Sequence, residues 1–286
     1  KDGFLNIISI FSFIGISLGV AVLIIVMSVM NGFRTELINK IVGFNPHITV
    51  KSYDNNGIDR DKLNNNNLNL ITKSLIFSNS GEAIILKNDT SKGIVLRGYQ
   101  TKEFSNLTII KNDKFKGDKS RLNKNSISIG NELSFSLDLK IGDKITLMSP
   151  SGVETIIGNI PKQKTFEVTS IFNSGLADFD NNIAIINLDT LDDFFGFEKK
   201  DRNLEIYLKD PKSIEEQKQI VQKIFDHEFI YTWADMNSSL FSALKVERNV
   251  MFIILSLIII VAAFNIISGL TILVKNKTRE IAILKS

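Results

Sequence analysis

The sequence has no cysteine, two histidines, four prolines and one tryptophan in 286 residues. Without cysteine there are no disulfides and no thiolate metal sites, so any folded part is held by its apolar core alone. His47 and His227 are far apart, and neither has a second histidine or a carboxylate pair at ligand spacing. Each reads as a surface or capped side chain rather than a metal ligand or catalytic base. There is no G-x-x-x-x-G-K-[ST] phosphate loop and no nucleophile–base set, so the chain reads as non-catalytic, with no metal and no cofactor of its own. A formal net charge of +3, from 34 basic and 31 acidic residues, gives no basis for nucleic-acid binding.

Charge is also missing locally. Gly3–Phe33 and Asn249–Val274 contain no charged side chain. About 20 apolar residues cross a ~30 Å hydrocarbon core as a helix, so both runs are long enough to span a membrane. The first is too long for a secretory signal core of about 7–15 residues and has no small-residue cleavage pattern, which makes it a retained helix.

The second run is approached by an amphipathic stripe, Met236, Leu240, Phe241 and Leu244, and a charged collar of Lys245, Glu247 and Arg248. No glycine or proline interrupts Met236–Ile267, so stripe and span form one lever-like helix. The first run continues likewise through Leu37, Ile38, Ile41 and Val42, with Gly43 as a C-cap and Pro46 as a stop. The division expected is transmembrane helix 1–33, stalk 34–46, soluble domain 47–235, stalk 236–248, transmembrane helix 249–274 and a further segment 275–286. Lys275, Lys277, Arg279 and Lys285 flank the second span and keep that side cytoplasmic, which puts the large domain outside. Gly15 and Gly19 have the G-x-x-x-G spacing of a helix-packing face, and Asn265 is a mid-span amide suited to hydrogen bonding another helix.

The domain between the spans alternates strands and helices. His47–Tyr53 reads as a strand, and Asp54–Asn69 as a loop with at most a short helix. Ala83–Leu86 and Gly93–Arg97 flank a hairpin turn. Strands are expected at Ser126–Gly130, Lys144–Met148, Thr165–Phe172, Asn182–Ile186, Asn203–Lys209 and Phe229–Trp233. Helices are expected at Asn131–Leu137 and Leu188–Phe195, and from Asp210-Pro211, where Asp is the N-cap and Pro the first helical residue. The fold class is therefore an α-helical transmembrane protein with a large α+β domain. That domain divides into an inner part, about 47–105 with 200–235, and an outer part, about 106–199.

Pro150–Pro161 reads as an insertion between strands. It carries Val153, Ile156, Ile157 and Ile160, where a connecting loop would be polar. Two readings stand for it, a docking surface and burial against a neighbouring domain.

Ser28-Val-Met-Asn-Gly-Phe-Arg-Thr-Glu-Leu37, followed by Gly43 and Pro46-His47, resembles the start of the LolC/LolE permeases, the membrane subunits of lipoprotein-releasing ABC transporters. Val261-Ala-Ala-Phe-Asn-Ile266 and Ile281-Ala-Ile-Leu284, with Trp233 and Leu240-Phe241 ahead of them, repeat the resemblance at the other end. It covers essentially the whole chain, in residues at the membrane segments and in layout between them.

The resemblance implies four spans in a full permease, of which the last two are expected beyond Ser286. It implies an inner-membrane location and a periplasmic domain with MacB-like porter and sabre subdomains. The implied partners are a second permease protomer, a LolD-like ATPase that binds ATP and magnesium, a LolA-like periplasmic carrier and a lipoprotein substrate. In the LolC branch a proline-bounded hook binds the carrier. Pro150, Val153, Thr155, Ile156, Ile157, Gly158, Asn159, Ile160 and Pro161 resemble that hook, with Gln163 and Lys164 as its pad. The pad departs from the family pattern at Thr146, where a basic residue is expected. Arg279, Glu280 and Lys285 resemble the start of the coupling helix that rests on the ATPase, and a solvated charge cluster is the alternative there. Met27, Met30, Met251, Phe252 and Phe264 are candidate walls of a lipid cavity, with lipid-facing positions as the alternative. The function implied is extraction of lipoproteins by mechanotransmission. A MacB-like efflux permease and an FtsX-like signalling regulator share the architecture but need no hook.

Overall fold

The computed structural model describes residues 2–54, 56–87, 90–111, 113–155 and 158–285. Side chains are described except at 2–9, 11–12, 151–155, 158–160, 212, 265, 270, 272–273 and 276–285. Ile156 and Ile157 lie outside the described residues, and so do the side chains of the other hook residues between the two prolines.

In chain order the elements begin with α1 (Asp2–Phe44), β1 (Ile48–Lys51), α2 (Asn66–Ile71), β2 (Thr72–Lys87), β3 (Thr90–Tyr99), α3 (Thr101–Phe104), α4 (Thr108–Lys111) and β4 (Lys116–Gly117). They continue with β5 (Ser126–Gly130), α5 (Asn131–Ser136), β6 (Lys144–Thr155), β7 (Gly158–Phe172), α6 (Ala177–Asn182), β8 (Ile183–Asn187) and α7 (Leu188–Phe195). The last are β9 (Asn203–Leu208), α8 (Ile214–Ile224), β10 (Phe229–Thr232), α9 (Trp233–Met236) and α10 (Ser238–Lys285). The chain divides into a helical unit, up to Leu37 and from Asn237 on, and a sheet unit, Ile38–Met236.

In the helical unit, α1 and α10 contain stretches, Phe13–Phe44 and Ser238–Gly269, that are long and apolar enough to cross a membrane, with mean hydropathy 2.7 and 3.0 in their most apolar 18-residue windows. Their most apolar windows are 6% and 0% buried. A core helix of a water-soluble domain hides such a surface, whereas these require lipid or other helices around them.

The sheet unit is organised by β2. Its first half, Thr72–Ser78, pairs with β9, which pairs with β1, which pairs with β10. From Asn79 onward β2 pairs instead with β3 on one edge and, at Ile84–Leu86, with β6 on the other. The pairings β2–β3–β8–β5–β7–β6 then return to β2 and close a ring. A closed ring has no free edges except at its rims. It encloses one apolar core, including Ile85, Leu96, Ile129, Leu147, Phe166 and Phe194. The four-stranded sheet covers a second core with α2 and α8 (Ile48, Leu68, Ile206, Val221, Phe225). A third core lies around Phe44, Phe104, Ile110, Phe172 and Ile185.

The strand pairing divides the domain differently from the expected boundary near residue 105. The β2–β3 hairpin, expected in the inner part, supplies two staves of the ring. The reason lies in Thr72–Ser78, where Leu75-Ile76-Phe77 between polar residues show no strand alternation yet extend the strand backwards, so that one strand serves both sheets.

Local chemistry accounts for most boundaries. The helix expected at Leu188–Phe195 has those limits, because Asn187 Oδ1 accepts from the Asp189 and Thr190 amides and Gly196 adopts φ +76°. Gly43, expected as the C-cap of the first helix, is not in the left-handed region. The helix continues to Phe44, where Asn45 N–H bonds to Ile41 O at 2.8 Å, and Pro46 is what stops it. Pro211 opens a 3-10 turn, Pro211–Ser213, before the α-helix begins at Ile214. The long helix expected from Met236 begins at Ser238, after the separate turn of α9.

Candidate functional site

Three places carry the residues singled out by sequence. The first is the β6–β7 hairpin. The segment expected as a loop between Pro150 and Pro161 is mostly ladder: Val153, Glu154 and Thr155 pair with Ile160, Asn159 and Gly158. Between Ser149↔Lys162 and Val153↔Ile160 the register slips, so residues 150–152 oppose Pro161 alone. Both prolines therefore sit in a bulge, where a residue without an N–H breaks no ladder bond. Beyond Met148, β6 pairs with β7 alone. Pro150 and Pro161 are exposed. Pro150 also borders a groove over Ala83, Ile84, Gly93, Ile94 and Val95.

At the base of this ribbon, exposed Gln163 Nε2 lies 3.8 Å from Met148 Sδ. Lys164 stands 5.3 Å over the Phe166 ring, and partial burial lowers its pKa. Lys162 Nζ bonds to the Asp193 carbonyl. Thr146 shares a 3.2 Å hydroxyl contact with Thr165 across the ladder.

The second place is a crevice in the helical unit. Met27, Met30 and Met251 line it together with Leu244 and the charged Arg34, Glu247 and Arg248. Phe252 and Phe264 are 68% and 65% exposed and lie outside it. Its volume of about 40 Å³ exceeds the roughly 10–15 Å³ that one water needs, yet it is far too small for an acyl chain. Gly15 and Gly19 have nothing within 4 Å of where a Cβ would stand, so their face is open among the described residues. Asn265, Arg279, Glu280 and Lys285 all lie within α10.

The third place is where the chain enters and leaves the sheet unit. His47 N–H bonds to Ile206 O and Trp233 N–H to His47 O, each at 3.1 Å, and Ile48 faces Thr232 across the β1–β10 ladder. Thr232 and Asp235 form a reciprocal capping box that starts α9, at 2.9 and 3.1 Å, and Lys218 pairs with Asp235 at 2.8 Å. The chain therefore enters and leaves the sheet unit on adjacent, hydrogen-bonded strands.

Against known families, residues 9–224 match the MacB-like periplasmic core domain. The lipoprotein-releasing system transmembrane protein LolC of Neisseria meningitidis is 30% identical over 100% of this chain and 70% of its own length. The chain belongs to the LolC/LolE permease family. The LolE protein of Haemophilus influenzae, at 27% identity over 100% of this chain and 70% of its own length, is another relative. Among solved structures, the periplasmic region of MacB from Actinobacillus actinomycetemcomitans aligns with 69% of this chain and 94% of its own, at 10% identity and TM-score 0.40.

Two polar clusters that the sequence of this LolC/LolE-type chain does not single out lie where β2 changes partners, buried except for Asp189 at the edge of the second. Glu205, 6% exposed, accepts from Ser78 Oγ at 2.6 Å, Tyr99 Oη at 3.1 Å and Tyr207 Oη at 3.0 Å. Burial, then the adjacent carboxylate, pushes the Tyr99 and Tyr207 hydroxyls well above the usual tyrosine range, so both remain donors. On the neighbouring residue of β2, Asn79 Nδ2 donates to Asp192 at 3.3 Å. Arg202 in turn grips Asp192 at 2.7 Å and Asp189 at 2.5 Å. The signal for the first cluster was available: Glu205 is a lone carboxylate between Leu204 and Ile206 in a strand. Nothing in the local sequence marks the second, whose members come from α7, β2 and the turn before β9.

Proposed function

We propose that this chain is the permease subunit of an ATP-driven lipoprotein-releasing system in the bacterial inner membrane, handing its cargo to a periplasmic carrier. The observation that carries this reading is similarity along the whole chain to LolC proteins, membrane segments and sheet unit together. Residues 1–33 and 249–274 act as spans, 34–46 and 236–248 as stalks, 47–235 as the periplasmic domain and 275–286 as the start of the segment that rests on a LolD-like ATPase.

Three features fit the mechanism. The entry and exit strands are hydrogen-bonded, so tilting either long helix loads the same ladder. The small methionine crevice cannot itself hold a lipid, which fits a cavity completed by a second protomer, LolE-like or identical. Each CH₂ of an acyl chain is worth roughly 0.8 kcal/mol when buried, so extraction of several chains needs a compensating apolar wall and an external energy source. Finally, a two-stranded ribbon with no third strand is only marginally stable in water, which suits a β6–β7 tip that is covered by a carrier.

A pull-down from periplasm with a LolA-like carrier tests the hand-over. Replacing Ile156 and Ile157 together by Asp is expected to abolish carrier capture while leaving co-purification with the ATPase intact. Undiminished capture removes the docking assignment. ATP-dependent release of an outer-membrane channel partner's substrate, or activation of a cell-wall hydrolase with no lipoprotein released, would replace the reading by the efflux or signalling alternative.

A further inference from the structure

Helix α1 ends at Phe44 in the sheet unit, and its last side chains are held by one residue of the ring. Arg97 of β3 donates from Nη2 to Asn45 Oδ1 at 2.7 Å, and its guanidinium lies 4.8 Å over the Phe44 ring. Phe44 also packs on Phe172 and Phe179, with centroids 6.3 and 4.9 Å away. On its other side Arg97 stands beside the Tyr99 hydroxyl, and Tyr99 bonds to Glu205. Glu205 reaches Ser78, the last residue of β2 before it leaves the four-stranded sheet for the ring, and Tyr207. A line of polar contacts thus runs from the end of α1 to the point where the two sheets part.

We propose that Arg97 is the positioning residue through which motion of helix α1 sets the angle between the four-stranded sheet and the ring. The inference rests on the mechanotransmission reading above. Arginine suits the task because one planar guanidinium can stack on a ring and donate sideways at once, which lysine cannot do. Asn45 offers a second pointer. It is 6% exposed, and its Nδ2 has no hydrogen-bond partner among the described residues. A buried donor left unmade costs roughly 1–3 kcal/mol, so a rearrangement that gave it an acceptor would be favoured by about that amount.

The test uses the assembled transporter with its ATPase and second protomer. Release of lipoprotein per ATP hydrolysed is compared for wild type, Arg97→Gln, Arg97→Lys, Asn45→Ala and the Arg97→Gln/Asn45→Ala double variant. A hydrogen bond from a charged donor is worth roughly 1.5–3 kcal/mol, so each single variant is expected to lower that ratio about tenfold or more at unchanged ATPase rate. The double variant is expected to fall no further, because both changes remove the same link. Lysine is expected to recover less than half.

A second readout avoids lipoproteins. Since the chain has no cysteine, labels at Asn39→Cys and Lys140→Cys report the separation of α1 and the ring in each nucleotide state. A nucleotide-dependent change present in wild type and absent in Arg97→Gln supports the proposal. The same change in both, or release per ATP at the wild-type level in Arg97→Gln and Asn45→Ala, overturns it while leaving the transporter reading intact. No change even in wild type overturns the mechanotransmission reading and this inference with it. If Arg97→Gln fails to assemble, Asn45→Ala carries the same comparison without altering a strand of the ring.

Discussion

On one side of β2, Ser78 leads into a cluster of one carboxylate and three hydroxyls. On the other, Asn79 leads into two carboxylates and a guanidinium. Both clusters are buried except for Asp189, whose side chain is half exposed, and both cross the same parting of the sheets. They differ in how charge is met. Arg202, with its side chain 8% exposed, lies within 2.7 Å of both Asp189 and Asp192, so its cluster is closed on itself. Glu205 is met by hydroxyls, and the guanidinium nearby, on Arg97, is shared with the end of α1. The Arg202 cluster is a staple. The Glu205 cluster, which Arg97 joins to the end of α1, also holds the helix. A buried ion pair is costly to break but adds little over an apolar substitute, whereas a hydroxyl network fixes geometry through many modest bonds.

This difference ranks the expected effects. Arg202→Met leaves Asp192 buried without its cation, a loss of about 3–5 kcal/mol for one partner of a buried pair. In a domain of this size about 1 kcal/mol shifts the melting midpoint by roughly 2–4 °C, so thermal unfolding of the full chain in detergent should begin about 10 °C lower. A shift under about 3 °C would mean that water enters the cluster and that the staple is not what it appears from its geometry.

Glu205→Ala comes next. It strands three buried hydroxyls at roughly 1–3 kcal/mol for a buried donor left unmade, partly relieved by their rotation. Glu205→Gln keeps one acceptor oxygen and the same shape, and is expected to cost less than half as much. Equal losses for Ala and Gln would show that the charge, and not the count of acceptors, is what the hydroxyls need. A smaller loss for Gln separates this cluster from the one around Arg202, where the charge decides, and equal losses would remove that distinction.

The sequence shows elements well where a local signal exists. Asn187 and Gly196 bracket α7, alternating apolar residues mark β5 and β9, and a continuous apolar run marks β8, whereas the turn of α9 is expected as the end of a strand. Long uncharged runs define α1 and α10. What it hides is shared use. Thr72–Ser78 holds its apolar residues as one run, Leu75-Ile76-Phe77, without the alternation that marks a strand, so the strand that joins both sheets is not announced. The bulge at Pro150 makes a ladder look like a loop. Of the five cavity candidates, Met27, Met30 and Met251 line one crevice and Phe252 and Phe264 do not. Arg97, Tyr99 and Glu205 meet only through strand pairing between positions about a hundred residues apart, and a single sequence has no term for that.

The smallest effect expected is also the one whose sign differs between the two sides of β2. His47 is 8% exposed, its ring is 5.9 Å from that of Tyr207, and its Nδ1 accepts the Leu208 amide at 2.8 Å. Burial, with a smaller effect from Lys73, lowers its pKa below the usual 6.5, against a contact with Val42 that raises it. The unfolded chain therefore binds more protons than the folded one just below the usual histidine pKa. Stability from this group is complete above about pH 6.5 and is lost as pH falls toward the folded value, at up to about 1.4 kcal/mol per pH unit. Asp192 runs the other way: burial raises its pKa, so its contribution is complete in acid and is lost as pH rises through that value. Melting midpoints between pH 7.5 and 5.5 should thus decline in wild type. The decline should vanish in His47→Gln, which keeps an acceptor for Leu208, and persist in His227→Gln, whose ring is 88% exposed beside Asp226. If His47→Gln keeps the wild-type slope, the acid sensitivity comes from elsewhere, and the joint between α1 and the sheet holds its histidine for shape alone.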